Sequence, residues 1–382
     1  MTPPASVPRR SPSRFLASAL LLSCALLAGC LPSSQRKNTR ALAPSDSTSA
    51  TLAEGVPVAD LETVWTTPLT ELAATPTGIT WIYPDSSDAQ LAVVETQDGA
   101  IHLIGSDGAI QDRWEVEGSF PYLAGVTGDT VAVLARGSGR LDWLTEAGVV
   151  ASLDVPEDAT AALVRPGGGA VVRIGGTIFE TPAALVVLDA DGSETSRYPI
   201  RSPWRASGYV RAWGDSVLAL SGYRPVADVL ATTTEPGTPL DTLALAGFTN
   251  PQLVRSFQFM LGEVDEPPLL TSAAAALGDA LYVLNLRTER IRVDVYNREG
   301  QLQRVLQGPI PTGEDGGNLV LDAYPADLAV RQTAVGPEIA VLLQRPRGLL
   351  QSADARVVLF RAGEPAPTST EPPLDDETSV AP

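Results

Sequence analysis

The sequence predicts an all-β fold, a six-bladed β-propeller of four-stranded blades, from a repeated strand pattern. The best-formed repeat covers residues 279–306, DALYVLNLRTERIRVDVYNREGQLQRVL, and is typical of three consecutive antiparallel strands. Its middle strand, 290–296, alternates Ile and Val with charged side chains, and the turn that follows ends in Gly300. Equivalent glycines follow strands at five other places: Gly108, Gly148, Gly192, Gly237 and Gly363. Because one such sheet cannot bury both of its faces, copies at a period of about 40 to 45 residues indicate stacked blades.

Each repeat contributes four strands. A short apolar strand comes first, at 78–82, 122–126, 160–164, 209–213, 272–277 and 327–330. The second and third strands follow as apolar pairs, at 91–95 with 101–105, 130–135 with 140–145, 170–174 with 184–188, 216–220 with 226–231, 280–285 with 290–296, and 338–343 with 356–360. The fourth strand returns after the turn glycine.

The ring is predicted to be closed by an N-terminal strand. Pro365 and Pro367 follow the sixth copy and cannot continue a ladder of hydrogen bonds, so that copy lacks its own outer strand. Residues 63–69, TVWTTPL, form a strand-like segment that belongs to no repeat. We therefore expect them to pair with 356–360 and so remove the exposed edges.

One short helix is predicted in the insertion between the fourth and fifth repeats. A Thr-Asn-Pro sequence at 249–251 is typical of a helix start. The apolar residues that follow fall on one helical face: Leu253, Phe257, Met260 and Leu261. We expect this helix to cover the propeller surface; a partner-binding helix is the alternative.

The start of the chain has the pattern of a targeting segment. Three arginines precede an apolar run at 15–27, which is shorter than the roughly 20 residues that span a bilayer. The run ends Leu27-Ala28-Gly29-Cys30, which resembles the lipobox of bacterial lipoproteins. That resemblance implies cleavage before Cys30, lipid on its sulfur and therefore a membrane partner. Leu31 then favours the outer membrane of the cell envelope. A plain secretory signal is the alternative.

Composition divides the chain into four parts. Residues 1–29 are the signal peptide, and 30–60, rich in Ser, Thr, Ala and Pro, are a flexible tether. Residues 61–362 are the propeller. Residues 363–382 are a disordered, acidic tail rich in Pro and Thr.

The repeat phrase VDVYNREGQL at 293–302 resembles six-bladed propellers of the NHL and TolB-like kind. Some six-bladed propellers are calcium-dependent lactonases or esterases whose metal is held by carboxylates and amides at the inner strand ends. Here Asp327 is the single acid among the predicted first strands, and a hard cation needs about six or more oxygens. The sequence therefore indicates no metal and no cofactor.

Charge and side-chain inventory exclude several other functions. The formal net charge is −18 and Lys37 is the single lysine, which disfavours binding to a nucleic-acid backbone. After the signal peptide Cys30 is the one cysteine, so neither a disulfide nor a thiol nucleophile is expected. His102 is the single histidine and lies in an alternating strand, where we expect a partly exposed structural residue. No catalytic residue is predicted.

Strand direction assigns the loops to two faces. The loops between first and second, and between third and fourth, strands share the face called the bottom; the others share the top. Acids occur in nearly every bottom loop, which predicts a negative bottom face: Asp85, Asp88, Asp107, Asp129, Glu146, Asp191, Asp215, Glu235, Asp279, Glu299 and Glu338.

The top face carries the long insertions and one sector without acids. Arg201, Trp204 and Arg205 lie in the loop that enters the fourth repeat, and Tyr223 and Arg224 lie in its next top loop. Arginine pairs with carboxylate or phosphate, and aromatic rings stack on sugars or planar groups. These five residues are the predicted binding site for a protein partner or for an anionic or sugar-like ligand.

The sequence thus favours a lipid-anchored envelope propeller that acts as a non-enzymatic binding scaffold. A calcium-dependent lactonase- or esterase-like hydrolase on the same fold, and a purely structural surface lipoprotein, are the alternatives.

Overall fold

The computed structural model describes residues 52–69, 75–83, 85–86, 88–97, 99–116, 120–175, 182–200, 208–231, 233–265, 267–287, 290–309, 324–345 and 354–363. These residues belong to one compact unit, Thr48–Pro382. No helix within them is long and apolar enough to cross a membrane. Cys30 and the rest of the predicted signal peptide, most of the tether, and all of the tail after Gly363 lie outside the described ranges.

The described residues of this unit are mainly β-strand, with helix α1 (Leu253–Met260) inserted among the strands. The strands are β1 (Val58–Pro68), β2 (Pro76–Ile82), β3 (Gln90–Glu95), β4 (Ala100–Ile104), β5 (Ile110–Glu115), β6 (Pro121–Thr127), β7 (Thr130–Ala135), β8 (Arg140–Thr145), β9 (Gly148–Asp154), β10 (Ala159–Val164), β11 (Ala170–Ile174), β12 (Ala183–Leu188), β13 (Glu194–Ile200), β14 (Gly208–Trp213), β15 (Ser216–Ser221), β16 (Val226–Leu230), β17 (Asp241–Ala244), β18 (Thr271–Leu277), β19 (Ala280–Asn285), β20 (Ile291–Tyr296), β21 (Leu302–Gly308), β22 (Tyr324–Thr333), β23 (Gly336–Arg345) and β24 (Asp354–Ala362).

The strands form a propeller-like arrangement. Four antiparallel sheets have four strands each: β2–β5, β6–β9, β10–β13 and β14–β17. A fifth sheet has eight strands in the order β18-β19-β20-β21-β1-β24-β23-β22. The first strands β2, β6, β10, β14, β18 and β22 contact one another in succession, and β22 contacts β2. They therefore make a closed ring.

The eight-stranded sheet corrects the expectation of six separate sheets. β1 pairs antiparallel with β24, from Thr63 opposite Phe360 to Pro68 opposite Arg356, as the sequence predicted. The strand begins at Val58, however, before the predicted segment, and its first residues pair parallel with β21, Val58 opposite Val305. Strand β1 therefore joins a group of four strands, β18–β21, to a group of three, β22–β24.

Side chains of β1 also reach across the junction between the ends of the ring. The Trp65 indole Nε1 donates a hydrogen bond to the Ser106 carbonyl at 3.0 Å. The Thr67 hydroxyl donates to the Gly108 carbonyl at 2.6 Å. Since Ser106 and Gly108 lie in the β4–β5 turn, β1 attaches the last sheet to the first.

The turn glycines follow the predicted pattern with one exception. Gly108, Gly148, Gly192, Gly237 and Gly300 have positive φ, although Gly237 lies in a longer loop between β16 and β17. Gly363 has no positive φ, because β24 is followed in the sheet by β1 and makes no hairpin there. Gly300 also lies against the Ala244 carbonyl of the preceding sheet, whereas a side chain at Gly148 would meet nothing within 4 Å.

Acidic residues are buried inside the third strands of three sheets: Asp142, Asp228 and Asp294. Asp142 and Asp294 are 0% exposed, and each accepts a hydrogen bond from the arginine two residues before it. His102 holds the corresponding place in β4 and is 1% exposed. The expectation that His102 is partly exposed is wrong, because this strand is covered by sheets on both sides.

Helix α1 covers the top loop between β15 and β16. Leu253 is buried, and the Ser256 hydroxyl donates to the Tyr223 carbonyl at 2.6 Å. The Asn250 side chain accepts from the Gln252 amide and donates to the Leu286 carbonyl. Leu261 was expected on the buried face but is 71% exposed, because the helix ends at Met260.

Candidate functional site

The top of the ring is held together by polar contacts between neighbouring sheets. At five of the junctions a side chain joins the end of a second strand to the start of the next first strand. The donor and acceptor pairs are Thr96 to the Pro121 carbonyl, Arg136 to the Thr160 carbonyl, Arg173 to the Gly208 carbonyl, Thr271 to the Ser221 carbonyl and Gln344 to the Pro76 carbonyl. These contacts place polar groups around the top mouth of the ring.

Arg173 is the more buried of the two charged donors. It is the single charged residue of β11, AVVRI, and is 4% exposed. Its Nε donates to the Thr160 hydroxyl at 3.1 Å, and its Nη2 donates to the Gly208 carbonyl at 2.9 Å. Its Nη1 is buried and has no hydrogen-bond partner in the described parts of the chain. Burial, and then the charge of Arg136, lower the pKa of Arg173 to about 10.

Arg136 lies beside it, at the end of β7. Its guanidinium carbon is 3.3 Å from the centre of the Tyr122 ring, so the aromatic face covers one side of the cation. Its Nη2 donates to the Thr160 carbonyl, while its buried Nε has no partner among the residues described. Burial lowers the pKa of Arg136, and the charge and hydrogen bonding of the Tyr122 hydroxyl oppose that shift.

The two guanidinium groups therefore form a compact cationic cluster at the top of the ring. Both are anchored on Thr160, and each keeps one buried nitrogen unbonded within the described ranges. Neither makes an ion pair with a described carboxylate. We call Arg136, Arg173, Tyr122 and Thr160 the arginine cluster. Chemically, it offers N–H donors and positive charge to an anion.

The acid of the ring, Asp327 in β22, is already engaged. It is 3% exposed, and its Oδ1 accepts a hydrogen bond from Arg211 Nη2 of β14 at 3.0 Å. Its Oδ2 accepts from the Ile79 amide of β2 at 2.9 Å. Burial raises the pKa of Asp327, and Arg211 opposes that rise. The described residues contain no group of three or more His, Cys, Asp and Glu that could hold a metal ion.

The predicted site near the fourth repeat is described only in part. Arg201, Trp204 and Arg205 lie outside the described residues. Tyr223 is half-buried, and Arg224 is 2% exposed with its guanidinium carbon 4.2 Å from the centre of the Phe257 ring of α1. Burial lowers the pKa of Arg224 to about 10. Arg224 thus lies under α1, and the structure does not bring it into the arginine cluster.

The bottom loops have the expected acidic character. Ten of the eleven acids named there are exposed, and the same loops contain two exposed arginines, Arg165 and Arg298. Glu338 is the exception at 5% exposed: it accepts hydrogen bonds from Arg331 and Arg361 and belongs to a buried ion-pair network. Its assignment to an exposed bottom loop is wrong, because β23 begins at Gly336.

Sequence reasoning missed Arg136 and Arg173 because it looked for binding residues in long loops. The signal that was present is an arginine inside the otherwise apolar β11 and another directly after the apolar β7. A charged residue in a strand buried on both faces needs a partner, and that partner cannot be identified from the strand alone.

Comparisons with known proteins give likenesses at low identity. Neither a family model nor a curated protein sequence matches this chain. Among solved structures, virginiamycin B lyase from Staphylococcus aureus is 12% identical, with a TM-score of 0.44, over 78% of this chain and 98% of that one. Regucalcin from Agrobacterium tumefaciens, described as a calcium-binding protein, is 10% identical, with a TM-score of 0.44, over 80% of this chain and 97% of that one. Glutaminyl cyclase from Myxococcus xanthus is 11% identical, with a TM-score of 0.38, over 67% of this chain and 100% of that one.

Proposed function

We propose that this chain is a lipid-anchored protein of the cell envelope whose propeller is a non-enzymatic scaffold that binds an anionic ligand at the arginine cluster. The anchor is the lipid implied at Cys30, outside the described residues. We count six blades in the scaffold, because the eight-stranded sheet contains two groups, β18–β21 and β22–β24 with β1, that each begin with a strand of the ring.

The buried, unbonded nitrogens of Arg136 and Arg173 carry this proposal. Burial of a cation without a counter-charge costs several kcal/mol, and two such cations side by side also repel each other. Both groups help to join neighbouring sheets, but no described carboxylate compensates their charge. A bound anion would accept hydrogen bonds from both nitrogens and remove the repulsion.

The use made of Asp327 supports a binding role rather than hydrolysis. Arg211 and the Ile79 amide occupy its two oxygens, so the carboxylate holds three first strands together. Both oxygens thus take part in holding the ring, and at 3% exposed the carboxylate has little surface to offer a substrate.

Thermal unfolding in a panel of anions tests the proposal. The lipidated protein in detergent is heated in chloride, carboxylate, phosphate or sulfate salts at equal ionic strength. We expect at least one anion to raise the Tm of the wild type by about 2 to 4 °C at roughly ten times its Kd. Arg173→Met should abolish that rise while remaining folded.

Arg197→Gln is the matched control. Arg197 lies in the same blade and forms an exposed ion pair with Glu194, so its loss should change neither the ligand response nor the stability by much. If no anion distinguishes the wild type from Arg173→Met, the arginine cluster is structural and the proposal fails.

A further inference from the structure

Five outer strands share one irregularity, in which one residue bulges between two residues that pair with the third strand of the sheet. The bulged residues are Val64 in β1, Gln111 in β5, Val150 in β9, Thr195 in β13 and Gln303 in β21. Three of them are polar. The two valines are exposed, Val64 at 42% and Val150 at 57%, and Val149, directly before Val150, is 43% exposed. Two outer strands therefore present apolar side chains to solvent at the bulge.

The outer sides of these two strands are not equally open. β1 lies between β21 and β24, and its Trp65 and Thr67 side chains bond the β4–β5 turn. β9 is the last strand of its sheet, and no described strand pairs with its outer side. A Cβ at Gly192 of the next sheet would lie 3.1 Å from the Asp154 carbonyl oxygen. The next sheet therefore approaches the end of β9, and the open edge is the stretch before it, 148–153.

The open edge of β9 lacks the features that keep edge strands apart. Its residues, GVVASL, include neither a charged residue nor proline. By contrast β5 is IQDRWE, β13 is ETSRYPI and β17 is the four-residue DTLA. Charged side chains, proline and short length each hinder the addition of a further strand to an edge. Of these four edge strands, β9 is therefore the one best suited to accept a further strand.

The fold itself shows that an outer strand with this bulge can pair with a further strand. Residues 305–307 of β21, which follow the bulge at Gln303, pair parallel with residues 58–60 of β1. The Val305 amide donates a hydrogen bond to the Pro57 carbonyl at 2.9 Å. The bulge therefore leaves the rest of the edge able to bind a strand.

The register identifies the equivalent donor in β9. Val305 lies opposite Asp294 of β20, two residues after the bulge of β21. Ser152 lies opposite Asp142 of β8, likewise two residues after the bulge of β9. By this equivalence, we expect the Ser152 amide to face outward and to be the donor that an added strand uses.

The charges around β9 indicate which kind of strand it can accept. Four exposed acids flank the open edge: Glu146, Asp154, Glu157 and Asp158. Arg140, opposite Asp154, offsets part of this charge. A second copy of the chain paired antiparallel through β9 would bring the acids at one end opposite those at the other, and like charges opposite one another are destabilising. A segment with basic ends and an apolar centre fits this edge better.

We propose that β9 is a docking edge for an extended segment of another protein, added to the sheet β6–β9 as a fifth strand. The segment has apolar side chains at its centre and Lys or Arg at its ends. Main-chain hydrogen bonds hold such a strand, and its side chains give specificity. They would cover Val149 and Val150; Leu302, which holds the position of Val149 in β21, is 7% exposed. This edge shares no residue with the arginine cluster, so it goes beyond the anion-binding role.

Binding of synthetic peptides to the full lipidated protein in detergent tests the proposal. The probe is the hexapeptide acetyl-Arg-Val-Thr-Val-Thr-Arg-amide. One comparison peptide has proline in place of its second valine, which removes an amide donor, and another has glutamate in place of both arginines. We expect the probe to bind at least about tenfold more tightly than either comparison peptide. It should also slow amide hydrogen exchange at 149–153 and leave exchange in β13 unchanged.

Variants connect the measurement to β9. Val150→Lys places a charge on the open edge and should reduce the affinity for the probe by at least about tenfold. Thr195→Lys adds the same charge at the bulge of β13 and should leave the affinity unchanged. Val150→Gln gives β9 the side chain found in β5 and β21. It should also weaken binding, by at least about threefold, which separates loss of the apolar contact from repulsion between charges.

Three results would overturn the proposal. If the probe binds no more tightly than the proline peptide, or if both Val150 variants bind it as the wild type does, β9 does not accept a strand. If sedimentation shows a dimer of the wild type that Val150→Lys dissociates, the occupant of the edge is a second copy of the chain and the assignment to another protein is wrong.

Discussion

At the scale of single residues, several of the buried charges pair with residues close to them in the chain. Arg292 lies next to Asp294 on one face of β20, and Arg140 next to Asp142 on one face of β8, because residues two apart in a strand share a face. Arg331 and Arg361 both bond Glu338. Arg136 and Arg173 differ from these residues in that neither forms an ion pair with a described carboxylate, although Arg304 and Arg361 also keep a buried Nε without a hydrogen-bond partner in the described ranges.

The pKa of Asp294 predicts in which direction the stability of the protein changes with pH. Burial raises its pKa above the ordinary value, and Arg292 and Asn285 oppose the rise. The native state therefore binds the proton more tightly than the unfolded state, and the stability linked to this proton is present at low pH and lost as pH rises through the native pKa. We expect the free energy of unfolding of the wild type, relative to Asp294→Asn, to increase as the pH falls from 7 towards about 4, by about 1.4 kcal/mol per unit of pKa difference.

Chemical denaturation of both proteins across that range makes the measurement. The comparison cancels the effect of the many exposed acids, which both proteins share. A difference that is constant with pH, or that moves against the wild type on acidification, would contradict the raised pKa.

The residues of the cluster could not be predicted from sequence as a site. Arg136 and Arg173 are 37 positions apart in the chain, and they meet because the Thr160 carbonyl and hydroxyl of β10 lie between the ends of β7 and β11. That geometry depends on how two blades pack, which a strand pattern does not specify. By contrast, the pattern did place Tyr223 and Arg224 in one top loop, but it could not show that α1 covers Arg224.

At the scale of elements, the strands were predictable because apolar alternation and turn glycines mark them directly. The predicted ranges for β7, β8, β11 and β19 coincide with the observed ones. The parallel pairing of Val58 with Val305 was not predictable, since nothing in the local sequence of β1 distinguishes its two neighbours.

Alanine substitutions at two turn glycines can distinguish the cost of a left-handed backbone from the cost of a steric clash with a neighbouring blade. Gly148 and Gly300 both have positive φ, and only Gly300 lies against a neighbouring carbonyl, that of Ala244. We expect Gly148→Ala to cost about 1 to 2 kcal/mol of stability, from the left-handed backbone alone. Gly300→Ala should cost clearly more, because the blade must also move away from its neighbour. Equal losses in urea unfolding would show that the contact between blades is not tight.

The closing strand can be tested through its side chains. Trp65→Phe with Thr67→Val removes the hydrogen bonds to the Ser106 and Gly108 carbonyls while keeping the β1–β24 ladder. We expect a loss of about 1 to 3 kcal/mol in the free energy of unfolding, from two net hydrogen bonds. Thr63→Val, at an exposed position of the same strand, is the control. If the double variant unfolds like the control, β1 closes the ring through its backbone alone.

At the scale of the whole molecule, charge divides the propeller into two faces. The bottom loops present ten exposed carboxylates and two exposed arginines, whereas the described top loops present Glu157, Asp158, Glu263 and Asp265 beside Arg255 and Arg290. An acidic surface is repelled by anionic lipid. We therefore expect an anchored propeller to turn its bottom face away from the membrane, which leaves the arginine cluster on the face nearer to it.

The anchor itself is tested by Cys30→Ser. A serine cannot form the thioether to lipid, so the variant should leave the membrane fraction and lose incorporation of labelled palmitate. Cys24→Ser, within the predicted signal peptide, should change neither result. A Cys30→Ser protein that still fractionates with membranes would show that something other than lipid holds it there.

The position of β1 between β21 and β24 has a consequence for how the chain is made. The strand emerges early in synthesis, and its antiparallel partner β24 is the last of the described strands to appear. Until then β1 has no complete site, and the outer edge of the last blade is open. Contacts between such distant parts of a chain form slowly, and open strand edges invite association with other chains. The ring can therefore close only after β24 has been made, and we expect β1 and the open edge of the last blade to be the places where an incomplete chain associates with other chains.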